Sequence, residues 1–263
     1  MNAYSLIRDA PWYRREAFES GLKAAGHTVT RAQPTRPDAS TLLLIWNRYG
    51  AVHDLARRVE AAGGTVMVAE NGYIGRGGTS PKFDVHPHGP KPEHYYALSL
   101  GYHNDATRIR AGGCTRLIAL DLDLKPERQG GDYDLICPNR SFGPPERMMH
   151  PDWARRTAAA LSSRPTRIRS HPGNNAPAHT LAEDLRYAAS VYIWSSSCGV
   201  HALVDGVPVV CAAPFWICAW LHPRDHLTYD EMRWHLLIRM SWAQWTLREI
   251  ESGEPFHQLL SNA

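Results

Sequence analysis

Short strand-like runs alternate with helix-like stretches over the first 70 residues of the chain. The runs are AYSLIRD, HTVTRA, STLLLIW and TVMVAE, and apolar residues recur at helical spacing over residues 12–25 and 51–62. This alternation is typical of β-α-β units, whose right-handed connections bring the strands into one parallel sheet. The pattern predicts three parallel strands, the last of which stops at Asn71-Gly72.

The same alternation restarts after Gly112-Gly113. Strand-like runs at YDLIC, TRIRSH, VYIWSS and VPVVCA are separated by helix-like stretches over residues 151–162, 179–189 and 198–205. The second half of the chain therefore predicts another Rossmann-like unit. Residues 229–250 carry apolar side chains on every face of a helix, so we expect a C-terminal helix with its large side chains in the core. These side chains are Trp234, Leu237, Met240, Trp242, Trp245 and Leu247.

The fold class expected from these patterns is α/β, with two Rossmann-like domains facing a cleft. We place the first domain at residues 1–112, the second at 113–228, and a helical tail that packs across both at 229–263. Residues 75–94 are rich in Gly, Pro, Lys and His and predict a long exposed loop. Ligands of parallel sheets bind beyond the carboxyl ends of the strands, so functional side chains are expected there.

Composition limits the class of protein without identifying it. The chain has 43% hydrophobic and 21% charged residues, ordinary values for a globular protein, and a net charge of only +3. No apolar run is long enough to span a bilayer and the N-terminus lacks the layout of a secretory signal, so we expect a cytoplasmic protein. The five cysteines form no CxxC pair, which favours buried thiols over disulfides or a zinc site.

Polar residues follow three strands predicted in the second half, where cations, hydroxyls and backbone N–H groups can bind phosphate without a metal. They are Asn139, Arg140 and Gly143 after YDLIC, Arg167, Arg169 and His171 in or after TRIRSH, and Ser195, Ser196, Ser197, Gly199 and His201 after VYIWSS. Structural alternatives stay open for each group. Residues 139–143 also fit a plain strand-to-helix turn, His171 a capping role before a proline, and the serine run an N-cap.

The first half offers carboxylates for catalysis. Glu70 ends a buried strand, and Asp105 follows a second apolar run, so either can serve as a general base or nucleophile. Glu70 is the first choice because its strand is better defined, and each carboxylate also has a structural alternative. Candidate acceptor-binding residues surround them, namely Tyr73, Arg76, Tyr102 and His103.

The segments SHPG, SSSCGVHALVDGVPVV and AAPFW, in this order, resemble the donor-binding domain of bacterial capsule Kdo transferases and related GT-B glycosyltransferases. AENGYIGRG is similar to the acidic segment of the same group, in which a carboxylate acts at the anomeric carbon. Asn71 stands where that group usually has an Asp. The resemblance implies a glycosyltransferase with a nucleotide-sugar co-substrate, no other cofactor, a donor site in residues 113–228 and an acceptor site in residues 1–112.

No metal site is expected. The pair Asp121 and Asp123 in ALDLDLKPE lies in a predicted connector between the domains, so metal binding there is the weaker interpretation.

The segments PNRSFG, RxRSHPG and SWAQWTLREIESG also resemble parts of bacteriophage proteins, some of which are suspected to add sugars to DNA bases. This second resemblance implies a hydroxymethylated pyrimidine in phage DNA as the acceptor, and the bacterial host cytoplasm as the location. A flipped base would stack on a tyrosine such as Tyr73 or Tyr102. The alternatives are a capsule-type glycan transferase, a nucleotide-sugar epimerase and a nucleic-acid-binding protein without catalysis.

Overall fold

The computed structural model describes residues 1–74, 95–103, 105, 109, 112–140, 142–221 and 227–261, with only the backbone for Trp12, Trp220 and Leu221. The described residues form two compact units. Unit 1 contains those up to Gly112 and those from Arg239 onward, and unit 2 contains those from Gly113 to Ile238. The predicted loop at 75–94 and the acceptor candidate Arg76 lie outside the described residues.

In chain order the strands are β1 (Asn2–Ser5), β2 (Thr28–Thr30), β3 (Thr41–Ile45), β4 (Thr65–Asn71), β5 (Tyr95–Leu100), β6 (Tyr133–Cys137), β7 (Thr166–Ile168), β8 (Ala188–Ile193), β9 (Val209–Cys211) and β10 (Gln244–Thr246). The α-helices are α1 (Arg15–Ala24), α2 (Ala51–Ala61), α3 (Thr115–Ala119), α4 (Trp153–Ala160), α5 (Leu181–Arg186), α6 (Cys198–Val204), α7 (Tyr229–Trp242), α8 (Leu247–Ser252) and α9 (Glu254–Leu260). The alternation of strands and helices expected from the sequence is confirmed.

Unit 1 is built on a six-stranded sheet in the order β10-β5-β4-β3-β1-β2. β1 to β4 are parallel, one strand more than the three expected, whereas β5 is antiparallel to β4 and β10 antiparallel to β5. The chain runs from β1 to β2 on one side and returns to β3 on the other. The switch in direction therefore falls between β1 and β3, where an α/β sheet opens a crevice at its carboxyl edge.

Both faces of the unit 1 sheet are covered, which explains the uninterrupted apolar run of β3. Leu42, Leu44 and Trp46 belong to the cluster that also includes residues of α1, α8 and α9, whereas Leu43 and Ile45 belong to the cluster that includes residues of α2. Alternate residues of a strand point to opposite faces, so a strand covered on both sides is apolar at every position.

Unit 2 is built on a four-stranded, fully parallel sheet in the order β7-β6-β8-β9. From β6 the chain crosses to β7 on one side and then to β8 on the other, so this sheet switches direction between β6 and β8. Leu135 and Val191 are fully buried in these two central strands. The residues that follow β6 and β8 thus lie where a ligand of a Rossmann-like sheet is expected.

The single helix predicted for residues 229–250 is wrong in its second part. α7 ends at Trp242, and the next residues form β10, in which Trp245 is 1% exposed and pairs with Tyr96 of β5. A capping box between Thr246 and Glu249 then starts α8. Leu237 and Met240 are buried as expected, but Trp234 is 41% exposed and does not belong to the core.

The cysteines are thiols, as expected from the sequence. Cys137, Cys211 and Cys218 are buried, and Cys114 and Cys198 are half-buried. Within the described part of the chain, no helix combines the length and apolar character needed to cross a bilayer.

Candidate functional site

The carboxyl ends of β6 and β8 are joined by a reciprocal pair of hydrogen bonds. Asn139 Nδ2 donates to Ser195 Oγ at 2.9 Å, and the Ser195 backbone N–H donates to Asn139 Oδ1, also at 2.9 Å. Both residues are half-buried. The structure thus brings together two of the predicted donor-binding residues, 56 positions apart, at the point where the unit 2 sheet switches direction.

The serine turn after β8 leads directly into α6. Ser196 Oγ accepts a hydrogen bond from the Cys198 backbone N–H at 3.3 Å, but the N-cap of α6 is Ser197, whose side chain forms no capping hydrogen bond. Ser196 is 8% exposed, and its own backbone N–H donates to no described residue. This N–H is a donor without a described protein partner at the carboxyl edge of the sheet.

Gly199 has a packing role in this turn. A Cβ on Gly199 would lie 2.5 Å from Ile193 Cδ1, so a side chain there would separate α6 from β8. His201, also a donor-binding candidate, is 4% exposed within α6. These two predicted site residues therefore contribute to the interior of unit 2, beneath the serine turn.

The segment after β7 reaches the segment after β6. A Cβ on Gly173 would lie 2.8 Å from Arg140 Nε, so this glycine permits close approach of the two segments. The exposed Arg140 guanidinium also lies over the Phe142 ring, 4.9 Å from its centroid. Gly143 follows with φ at +146°, a conformation that favours glycine.

His171 adopts a defined orientation beside this contact. The backbone N–H of Gly173 donates to His171 Nδ1 at 2.9 Å. Because that nitrogen accepts, the neutral imidazole carries its proton on Nε2, which becomes a hydrogen-bond donor. Asn139 thus contacts Ser195, and Arg140 contacts Gly173 of the segment that contains His171.

Arg167 and Arg169 point to the same side of β7, as expected, but they converge on a carboxylate that the sequence analysis missed. Arg167 Nη1 lies 3.0 Å from Asp184 Oδ1, and Arg169 Nη1 contacts the other carboxylate oxygen. Arg167 also stacks on the Tyr133 ring at 4.0 Å. Asp184 is 3% exposed, so it is a buried counter-charge for both arginines. The sequence feature that could have identified Asp184 is the capping box at the start of α5, because Asp184 directly follows its Glu183.

Glu70 and His103 lie together in unit 1. His103 Nε2 contacts the Trp46 carbonyl oxygen at 2.7 Å and lies 3.9 Å from Glu70 Oε2. The other carboxylate oxygen of Glu70 accepts hydrogen bonds from the backbone N–H and the side-chain amide of Asn71, at 2.8 and 3.1 Å. The side chains of Glu70 and His103 are 30% and 27% exposed, so both reach the surface.

The remaining candidates of unit 1 are less accessible. Tyr73 is 5% exposed, so its ring does not offer the stacking surface that the sequence analysis expected. Asp105 is 9% exposed, so its carboxylate is largely buried. The Tyr102 ring packs on the Arg48 guanidinium, 3.9 Å from its carbon to the ring centroid.

No sequence pattern marked Arg48 as a functional or structural residue. Its side chain is fully buried, bonds both carboxylate oxygens of Glu60 at 2.6 Å and donates to the Gly101 carbonyl. Together with the Tyr102 stack, these bonds fix the turn that follows β5. That turn carries His103.

A cavity of about 280 Å³ opens at the carboxyl ends of β1 and β3, where the unit 1 sheet switches direction. Its wall includes Arg8, Trp46, Asn47 and Tyr49, together with the start of α2 at Ala51. Trp46 borders this cavity and also accepts the His103 hydrogen bond. Among the described residues, no cluster of three or more His, Cys, Asp or Glu side chains is arranged to hold a metal ion.

Comparison with solved structures identifies the fold. No protein-family model and no curated protein sequence matches the chain. The chain is similar in structure to Thermosulfurimonas dismutans KpsC, a beta Kdo 2,7 transferase, at a TM-score of 0.55 and 13% identity, with each chain covered over 100% of its length. It is also similar to the beta Kdo 2,4 transferase of KpsC from the same organism, at a TM-score of 0.54 and 16% identity over 92% of this chain and 90% of that one. The resemblance to Kdo transferases inferred from the motifs is confirmed at the level of fold.

Proposed function

We propose that the protein is a glycosyltransferase that moves a sugar from a nucleotide donor to a hydroxyl group. Two observations support this function: the likeness in fold to the two Kdo transferase domains and the polar edge of the unit 2 sheet. The observation that carries most weight is the Asn139–Ser195 pair of hydrogen bonds, because it organises the point where α/β sheets bind ligands. We assign the nucleotide end of the donor to this edge of unit 2.

The groups at this edge suit a diphosphate. Arg140 supplies an exposed positive charge and Ser196 a backbone N–H, and His171 lies in the segment that contacts Arg140. Since these groups can stabilise a leaving phosphate by charge and hydrogen bonds, we propose that the reaction needs no metal. Activity that survives chelation with EDTA would agree with this proposal, and loss of activity restored by Mg²⁺ would refute it.

Unit 1 is the proposed acceptor side. Glu70 is the first candidate for the catalytic carboxylate and Asp105 the second, with Tyr102, His103 and Arg76 as acceptor-binding candidates. A saccharide hydroxyl is the acceptor favoured by the names of the similar structures. The hydroxymethylated pyrimidine of phage DNA remains a prediction from the sequence.

Nucleotide binding provides the first test, and the two arginines of unit 2 provide a contrast. Arg140 has no carboxylate partner among the described residues, whereas Asp184 already compensates Arg169. Arg140→Ala should therefore weaken nucleotide-sugar affinity by roughly 10- to 100-fold, the cost of a charge-assisted hydrogen bond. Arg169→Ala should reduce stability more than affinity. Arg156→Ala, an exposed position on α4, is the matched control, measured by calorimetry with the same nucleotides.

Turnover provides the second test. The protein is incubated with a panel of UDP- and CMP-linked sugars that includes activated Kdo, with oligosaccharide, plain DNA or hydroxymethylated DNA as acceptor, and the products are identified by mass spectrometry. Sugar transfer to any acceptor supports the proposal, and transfer to DNA alone would select the phage-type acceptor. Conversion of the nucleotide sugar to its epimer without an acceptor would identify an epimerase. DNA binding that nucleotide sugars do not affect, without turnover, would identify a non-catalytic protein.

A further inference from the structure

The orientation of His103 is fixed by a partner that can only accept. The Trp46 carbonyl oxygen lies 2.7 Å from His103 Nε2, and a carbonyl has no proton to donate, so Nε2 carries the hydrogen. The lone pair of the neutral imidazole is therefore on Nδ1. No described residue forms a hydrogen bond with that nitrogen. His103 thus presents a base, on a ring that is 27% exposed.

Glu70 is placed to assist this base. Asn71 holds one carboxylate oxygen with two hydrogen bonds, and the other oxygen lies 3.9 Å from the N–H side of the imidazole. That separation is too long for a hydrogen bond, but it leaves the carboxylate beside the N–H side of the ring. A carboxylate behind one nitrogen, with proton transfer at the other, is the arrangement by which histidine bases are oriented in many enzymes.

The turn that presents His103 is held on its other side. Arg48 bonds the Gly101 carbonyl and stacks under Tyr102, and Ser99 Oγ donates to the Tyr102 carbonyl at 2.6 Å. The charged groups around this turn include Glu70 on β4, Asp105 two residues after His103, and Arg48 with its partner Glu60. A base needs this kind of fixed support to keep its lone pair aligned with the proton that it removes.

We propose that His103 is the general base of the transfer reaction and that Glu70 is a positioning residue that acts through it. This inference rests on the proposed glycosyltransferase function and assigns its proton transfer. The acceptor hydroxyl gives its proton to His103 Nδ1 while its oxygen electron pair forms the bond to the anomeric carbon. The bond between that carbon and the donor phosphate breaks, and its electron pair leaves on the phosphate oxygen.

The test compares substitutions at the two residues. His103→Gln keeps an amide N–H able to bond the Trp46 carbonyl but has no basic nitrogen, so kcat should fall by roughly 100-fold or more while the acceptor KM changes little. The kcat of His103→Ala should fall by a similar factor. It should recover in part with added imidazole, because the ring position is partly exposed to solvent. Glu70→Gln should lower kcat by a smaller factor, about 10-fold, and should gain nothing from imidazole. His257→Gln, an exposed histidine on α9, is the control and should behave as the wild type.

The outcomes separate this inference from the proposed function. If the wild type transfers no sugar in any donor and acceptor combination, the proposed function fails. If the wild type is active and His103→Gln retains activity within about threefold, the base assignment fails and Glu70 is left as the direct base. Loss of activity in His103→Ala without imidazole rescue, together with weakened nucleotide affinity or a lower melting temperature, would show a structural role and also overturn the inference.

Discussion

Removing Arg48 and removing Glu60 should lower stability by different amounts, because the two partners of this ion pair differ in exposure. The Arg48 side chain is 0% exposed and the Glu60 side chain 36% exposed. Arg48→Met leaves a carboxylate that can be rehydrated, so the loss is limited to the hydrogen bonds and the Tyr102 stack, about 2 kcal/mol. Glu60→Ala leaves a buried guanidinium with its charge uncompensated, which should cost about 4 kcal/mol.

The difference in stability is best measured through local opening of the structure, because two compact units need not unfold in one transition. Hydrogen exchange with mass spectrometry on peptides covering residues 42–48 and 95–103 should show a greater loss of protection in Glu60→Ala than in Arg48→Met. The double variant should cost less than the sum of the two single variants, because the second substitution removes the stranded charge. Arg57→Met, on the exposed face of α2, should change protection by less than about 0.5 kcal/mol.

The result that would refute this reasoning is the reverse order, with Arg48→Met the costlier change, or additivity of the two substitutions. Either outcome would mean that the buried guanidinium is stabilised without Glu60, by the Gly101 carbonyl, the Tyr102 ring and His53 Nδ1. Because the same contacts hold the His103 turn, Arg48→Met should also lower transfer activity. Any such loss should appear in kcat more than in nucleotide affinity.

Three further predictions concern unit 2. Asn139→Ala removes both hydrogen bonds to Ser195 and should lower the free energy of unfolding by about 2 kcal/mol, as measured by urea denaturation. It should also weaken nucleotide binding, as measured by calorimetry. Unchanged affinity would exclude the Asn139–Ser195 pair from the donor site. Gly199→Val should destabilise unit 2 by more than about 3 kcal/mol in the same denaturation assay, because even the Cβ would meet Ile193, and a wild-type midpoint would contradict the packing role. Burial raises the pKa of Cys211 to about 12, so a thiol reagent at pH 8 should label this thiol only after unfolding. The free energy of unfolding should decline as the pH rises above 9.0, the ordinary pKa of the thiol, because ionisation is disfavoured only in the folded state. Rapid labelling of Cys211 in the folded protein would contradict this burial.

Local pattern was enough to predict the β-α-β alternation, because each element depends on the periodicity of its own residues. β5 and β10 were not predicted as part of the sheet, since their pairing joins residues 97 and 244 and no local signal records it. The end of α7 did have a signal. The sequence Thr246-Leu-Arg-Glu249 is a capping box, and a helix that starts at residue 247 requires the earlier one to have stopped.

In the candidate site, the sequence predicted where charged side chains lie but not which charges are compensated. Sequence placed Arg140, Arg169 and His171 after parallel strands, and the structure brings Arg140 and His171 to one edge of the unit 2 sheet. The sequence pattern could not distinguish an arginine whose charge is compensated from one whose charge is available to a ligand. That distinction depends on Asp184, 15 residues beyond Arg169, which becomes a partner only when α5 packs beside β7.

The role of Glu70 also depends on its neighbours in the fold. As a sequence it is a carboxylate at the end of a strand, and a carboxylate there suggests a base acting directly on the acceptor. In the fold one of its oxygens accepts two hydrogen bonds from Asn71, and the other lies 3.9 Å from His103 Nε2. The nitrogen left without a described partner is His103 Nδ1. A residue's chemistry follows from which of its atoms remain available after folding, and for this pair the available base is the histidine.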